Sequence, residues 1–245
     1  MNSFRNLLSI LVTAIGLTLA GCGGGSGSAG PAGPITLLNE TFSAPNGGAS
    51  NMTNSWVITP GGPTCTASNT DQDVLGSPPQ GNPTYGLVLK CQGTITSRPI
   101  SLRSINTYVL NTPMTFAVDA RVDSTGTFGG NPQPGMTFSL EALNNGFIFA
   151  HVALGPTSAT FWIGTGNASG TQVTRTYSAD ALFHRYVFVV DGSGNAEWRR
   201  DGALQANAST FPTNTGNVYV KMQAPPSTST ATSKGHFDNV LVTAP

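Results

Sequence analysis

In the stretch Met136-Thr137-Phe138-Ser139-Leu140-Glu141-Ala142-Leu143, Phe138, Leu140 and Ala142 share one parity and Thr137, Ser139 and Glu141 share the other. A strand points successive side chains to opposite faces, so this pattern predicts a β-strand with one buried and one polar face. Asn144-Asn145-Gly146 follows, a turn-forming trio, and Phe147 to Leu154 continues beyond it. A run, a tight turn and a second run predict a hairpin.

The same reading extends outward. Phe116-Ala117-Val118-Asp119-Ala120-Arg121-Val122 alternates in the same way, and from Ile35 onward the pattern is strands. Thr160 to Ile163, Tyr186 to Val190, Ala196 to Arg199, Val218 to Met222 and Phe237 to Val242 continue the series. Asp191-Gly192-Ser193-Gly194-Asn195 and Asp201-Gly202 read as turns, and Gln223 to Lys234 as a long polar loop. No stretch carries a helical period, although residues 178–184 are compatible with a single helical turn. Short strands punctuated by Gly, Pro and Asn predict an all-β fold, a sandwich or barrel of antiparallel strands. No internal repeat and no second domain boundary is visible.

Only 9% of the residues are charged, against about 25% in an average soluble protein. Lys plus Arg and Asp plus Glu number eleven each. With no basic patch, the sequence argues against nucleic acid as a partner. A surface of hydroxyls and amides suits an exported protein that meets neutral partners.

The N-terminus supports export. Arg5 precedes an apolar run from Leu7 to Ala20, and Leu19-Ala20-Gly21-Cys22 ends it. This is the layout of a secretory signal peptide. The run is shorter than the roughly 20 residues that a bilayer core needs. Its end resembles the lipobox of bacterial lipoproteins. The resemblance implies cleavage before Cys22, lipidation of the Cys22 sulfur, and attachment to a bacterial membrane, the outer one in a Gram-negative cell. The division expected is a signal peptide over 1–21, a lipidated Cys with a Gly/Ser/Pro tether over 22–34, and a β-sandwich domain over 35–245. With Cys22 lipidated, Cys65 and Cys91 remain, and an oxidising compartment predicts that they form a disulfide. Two free thiols are the alternative. A metal site fits less well, because neither cysteine has a Cys or His nearby at ligand spacing.

A second resemblance rests on several short motifs in order. Glu40-Thr41-Phe42 is followed by Trp56; Phe183-His184-Arg185-Tyr186-Val187-Phe188-Val189-Val190-Asp191 comes late; Ala196-Glu197-Trp198-Arg199-Arg200-Asp201-Gly202 follows; Phe237-Asp238-Asn239-Val240-Leu241-Val242 closes the chain. This order resembles a concanavalin A-like lectin/glucanase domain, the jelly roll of laminin-G-type modules, legume lectins and several glycan-cleaving enzymes. It implies two antiparallel sheets packed face to face, one of them concave, with the first strand beside the last. It also implies a calcium ion where those strands meet. Asp238 would give the side-chain oxygen, and carbonyls near Glu40 and around Gly86 would complete the shell. The other reading of Asp238 is a turn cap or a backbone hydrogen-bond partner.

Glucanases of this fold carry two carboxylates at alternate positions of one strand, as acid and as nucleophile or base. This chain has no such run. Asp71/Asp73 has the alternation but sits in a Pro-rich segment, and Asp119/Asp123 is spaced wider. No nucleophile elbow, phosphate loop or His-Glu-x-x-His spacing is present. Arg121, Glu141 and His151 lie on three successive predicted strands, and alternation can place them on one face. There Arg121 would neutralise a uronate while His151 takes its proton, the chemistry of a lyase. Alternatively, Arg121 and Glu141 form a solvated cross-strand ion pair, with His151 at an edge.

Aromatic residues are the other candidates, since sugar rings stack on exposed Trp and Tyr. Trp162 alternates with Phe161 and Ile163. If those two face the core, Trp162 faces solvent or the groove; otherwise it belongs to the core between the sheets. Trp198 lies near a hairpin, and Tyr108 and Tyr177 lie in loops. Trp56 is expected in the core against Phe42. The first functional reading is therefore a non-catalytic module that binds a glycan or another ligand outside the cytoplasm, through Trp162, Arg121 and His151. A polysaccharide lyase or another carbohydrate-active enzyme is second, and an envelope structural or adhesion protein with a protein partner is third.

Overall fold

Period-2 patterning becomes two antiparallel sheets, packed face to face. The computed structural model describes residues 33–42, 54–62, 65–68, 86–92, 99–124, 127–128, 131–132, 135–165, 169–180, 182–213, 216–225 and 232–245. The expected signal peptide, Cys22 and Asp71/Asp73 lie outside these residues.

The first sheet contains β1 (Ile35–Glu40), β3 (Cys65–Ser68), β4 (Leu87–Gln92), β7 (Met114–Ser124), β14 (His184–Val190), β15 (Ala196–Arg200), β16 (Ala203–Ala208) and β18 (Thr232–Ala244). Its order is β16-β15-β14-β7-β18-β4-β3, with β1 also on β18. The second sheet contains β2 (Trp56–Thr59), β5 (Ile100–Ser104), β6 (Tyr108–Val109), β10 (Met136–Ala142), β11 (Ile148–Leu154), β12 (Ser158–Gly164), β13 (Gly170–Thr176) and β17 (Asn217–Ala224). Its order is β13-β12-β11-β10-β17-β5-β2, with β6 also on β17. A two-residue pair, β8 (Thr127–Phe128) and β9 (Asn131–Pro132), stands apart. No helix is long and apolar enough to cross a membrane among the described residues. Residues 178–180 and 182–183 are irregular and form no helical turn.

The last strand organises the first sheet. One edge of β18 pairs with β7 along most of its length. The other edge is shared, with Thr232 to Phe237 on β4 and Val240 to Ala244 on β1. The first and last strands are therefore neighbours, as the motif order implied. Cys65 faces Cys91 across β3 and β4, and the two form a disulfide.

The core lies between the sheets. Phe138, Leu140, Val152, Phe161, Ile163, Val218 and Val220 supply the second sheet's side, and Phe116, Val118, Phe188, Trp198 and Phe237 the first's. Trp198 touches Phe188, Phe138 and Phe161, with ring centroids 5.1, 6.2 and 6.2 Å away. Its indole N–H crosses the core to donate to the Trp162 carbonyl at 3.1 Å. Trp198 is thus a core residue and no candidate for a ligand. Tyr108 is buried too. Trp56 packs on Phe42 at 5.9 Å, as expected.

Candidate functional site

With one parity of each strand committed to the core, the other parity forms the outer face of the second sheet. Register aligns its residues across the strands. Gln172 pairs with Trp162, Trp162 with His151, His151 with Ser139, Ser139 with Lys221, and Lys221 with Arg103. These six residues form one continuous row across six strands. A neighbouring row runs Thr174, Thr160, Ala153, Thr137, Gln223, Ser101, all small or polar.

Trp162 and His151 occupy one half of the row. Their rings stack with centroids 5.6 Å apart and planes 17° apart. Beyond Trp162, Gly164 pairs with Gly170. A Cβ at Gly164 would lie 2.3 Å from Cζ2 of the indole, and one at Gly170 would lie 2.8 Å from Cε2. The indole lies over this pair, in space that only two glycines leave open. Trp162 is half-buried and therefore presents part of its ring outward. Burial pulls the His151 imidazole below its ordinary pKa, against the opposing charge of Glu141, and favours the neutral ring.

The other half of the row is ionic. Glu141 lies beside it, on the same parity of β10 as Ser139. The Ser139 hydroxyl donates to Glu141 Oε1 at 2.9 Å. The Tyr219 hydroxyl and the Lys221 ammonium donate to Oε2 at 2.9 and 3.2 Å. Ser139 and Glu141 are only 2% and 6% exposed although they face outward, so this carboxylate is enclosed by its partners. Burial pushes the Tyr219 phenol up to about 12, and the charge of Glu141 adds to the effect. The Arg103 guanidinium lies over the Tyr219 ring at 5.4 Å.

The sequence-based triad is therefore corrected. Glu141 and His151 do share this face. Arg121 lies in the opposite sheet, because β7 belongs to the first sheet and β10 and β11 to the second. Its guanidinium binds Asp123 through Nε at 2.9 Å and approaches His236 Nε2 through Nη2 at 3.0 Å. His236 Nε2 is 2.8 Å from Asp123 Oδ2, and the Phe183 ring lies against both Arg121 and His236. Arg121 is 4% exposed and holds the first sheet's outer layer together. Sequence reading missed Ser139, Tyr219, Lys221 and Arg103 as site residues. Nothing local shows that β17 lies beside β10 and β5 beside β17.

Asp238 is fully buried on the first sheet. Its Oδ1 accepts the Asn239 N–H at 2.8 Å, while Oδ2 has no partner. Burial, helped by the charges of Asp119 and Glu40, raises its carboxyl to about 8. Gly86 packs against it: a Cβ there would lie 3.8 Å from the Asp238 Cβ and 3.3 Å from the Phe237 carbonyl oxygen. Among the described residues no group of three His, Cys, Asp or Glu side chains could hold a metal. A cation here would rest on Asp238 and backbone carbonyls. The unpartnered oxygen fits that role.

The fold is a concanavalin A-like jelly roll. No known protein family and no curated protein matches the sequence. Solved structures match the jelly roll. A sialidase aligns with a TM-score of 0.57 and 11% identity over 84% of this chain, which spans 18% of the sialidase's length. A glycosyl hydrolase family protein from Mycobacterium fortuitum aligns at 0.55 and 16% identity, over 85% of this chain and 99% of that one. A Mycobacterium tuberculosis protein, described as an immunostimulatory antigen and pseudo beta-1,3-glucanase, aligns at 0.56 and 12% identity, over 86% and 99%. At such identities the likeness concerns the jelly roll alone.

Proposed function

We propose that this chain is a glycan-binding module whose binding surface is the outer face of the second sheet. The stacked Trp162–His151 pair carries this reading. An aromatic face held flat, with hydroxyl and amide groups in the flanking row, offers both of the contacts that a sugar ring needs. Hydrolysis by a carboxylate pair is not supported, because Glu141 is the one acid in the strands of this sheet. The test is retention of the full chain on a polysaccharide panel. Trp162→Ala is expected to abolish retention; unchanged retention by that variant would reject this surface, and co-purification with an envelope protein instead would favour an adhesion role.

A lyase is the second reading. Arg103 shares a face with His151, as Arg121 does not, and the two stand three strand spacings, about 14 Å, apart, so a lyase substrate would have to span that distance. Release of unsaturated, ultraviolet-absorbing ends from the same panel tests it. Two further proposals accompany the first. Lipidation of Cys22 would tether the module to a bacterial membrane, and acyl labelling lost in Cys22→Ser tests it. A structural calcium ion held by Asp238 would join the first and last strands.

A further inference from the structure

We infer that the glycan taken by this face is acidic, with a carboxylate or sulfate group received by Arg103 and Lys221 while a sugar ring lies on Trp162. The inference rests on the glycan-binding reading and adds the chemical class of the ligand.

The argument is the segregation of charge. The chain as a whole is neutral, with eleven acids and eleven Lys or Arg. Among the described residues, Glu141 is the one acid in the strands of the second sheet, and it is neutralised in place. Lys221 offsets its charge directly, and the Tyr219 and Ser139 hydroxyls satisfy its oxygens. The outer face thus opposes an approaching anion with no uncompensated carboxylate among the described residues.

Arg103 is the uncompensated charge. It is half-buried and makes no ion pair among the described residues. Its guanidinium is stacked on Tyr219 at 5.4 Å, and Tyr219 is itself fixed by Glu141 at 2.9 Å. A guanidinium held in this way keeps its planar fork of donors for a planar or tetrahedral anion. Arg103 is the cross-strand neighbour of Lys221, so two cations stand side by side. Trp162 lies four strand spacings away, about 19 Å. The row can therefore engage a polymer at two points, a ring at one end and an anionic group at the other.

The test measures retention of the full chain on polygalacturonate, carrageenan and laminarin, which are carboxylated, sulfated and neutral. One or both acidic polymers are expected to bind about tenfold more tightly than laminarin. That preference should vanish in Arg103→Gln, return in part in Arg103→Lys, and weaken as salt is raised while any laminarin binding holds. The salt series needs no variant, so it decides the matter even if Arg103→Gln folds poorly. Which acidic polymer binds separates carboxylate from sulfate recognition. Equal binding of laminarin, unaffected by Arg103→Gln and by salt, would overturn the inference and leave the glycan-binding reading standing. Retention on none of a broad panel would overturn both.

Discussion

Trp162 and His151, directly opposite each other on β12 and β11, stack at 5.6 Å with nearly parallel rings. The pair is held from below by the Trp198 N–H on the Trp162 carbonyl and from the side by Gly164 and Gly170. The pair is thus ordered by folding alone, so a sugar ring that stacked on it would incur no ordering cost at these side chains. Trp162→Ala should lower glycan affinity by about tenfold or more and also cost about 2 kcal/mol of stability, since the indole is half-buried against His151 and the Gly164/Gly170 pair. Affinity electrophoresis and thermal melts on the same preparation check both halves of this expectation.

Glu141 should matter for stability more than its outward parity suggests. Glu141→Ala leaves the Tyr219 hydroxyl and the Lys221 ammonium without their acceptor, at a cost of about 2 kcal/mol. Glu141→Gln should cost less, because it keeps an oxygen acceptor. In both variants the Tyr219 phenol should ionise at lower pH than in the parent, although burial keeps it above an ordinary tyrosine. Urea unfolding and ultraviolet titration of the tyrosines measure the two effects.

Asp123 should contribute to acid sensitivity. Burial acts upward on its carboxyl, but the His236 hydrogen bond and the charges of His236 and Arg121 outweigh it and hold the group at about 2. A carboxyl held low stabilises the fold above the ordinary carboxylate range. The benefit is lost as pH falls from about 4 through about 2. Because the group is about half exposed, solvent screening reduces its worth to on the order of 1 kcal/mol. Asp123→Asn should therefore be less stable than the parent at neutral pH, and the two unfolding curves should converge near pH 2.

Cation dependence at Asp238 has a direct check. If calcium binds there, its addition should raise the melting temperature, a chelator should lower it, and Asp238→Asn should respond to neither. An unchanged melting curve on chelation, with no metal found by elemental analysis, would remove calcium from the account.

Reducing the Cys65–Cys91 bridge should destabilise the fold. The bridge joins residues 26 apart, and the chain-entropy model gives about 3 kcal/mol for a closed loop of that size. A lower urea midpoint in reductant, absent in a Cys65→Ser/Cys91→Ser variant, is the expected result.

Much of the strand content was legible locally. Phe138, Leu140 and Ala142 lie inward, and Thr137, Ser139 and Glu141 outward, as alternation required. For Trp162 the sequence leaves the outer face and the inter-sheet core both open, and only the inward packing of Phe161 and Ile163 turns it outward. Gly170 to Thr176 was not singled out as a strand; it is an edge strand with mostly exposed, polar residues and no apolar face to read. A position near a hairpin does not show that the Trp198 side chain spans the core, which only the packing of the two sheets decides.

By itself the amino-acid sequence determined that the chain folds as antiparallel β, where its main turns fall, and which parity of each central strand is apolar. Each of these is a property of residues close together in the chain. It also indicated that Cys65 and Cys91 would pair. Only the tertiary structure decided which strands are neighbours. Arg121 and His151 both lie outward on their strands, yet they belong to opposite sheets. Arg103 and Lys221, far from Ser139 in sequence, stand in its row. Alternation tells which way a side chain points but not which sheet carries it. Sheet membership is settled by the pairing and packing of distant strands around one core, and no local pattern records it.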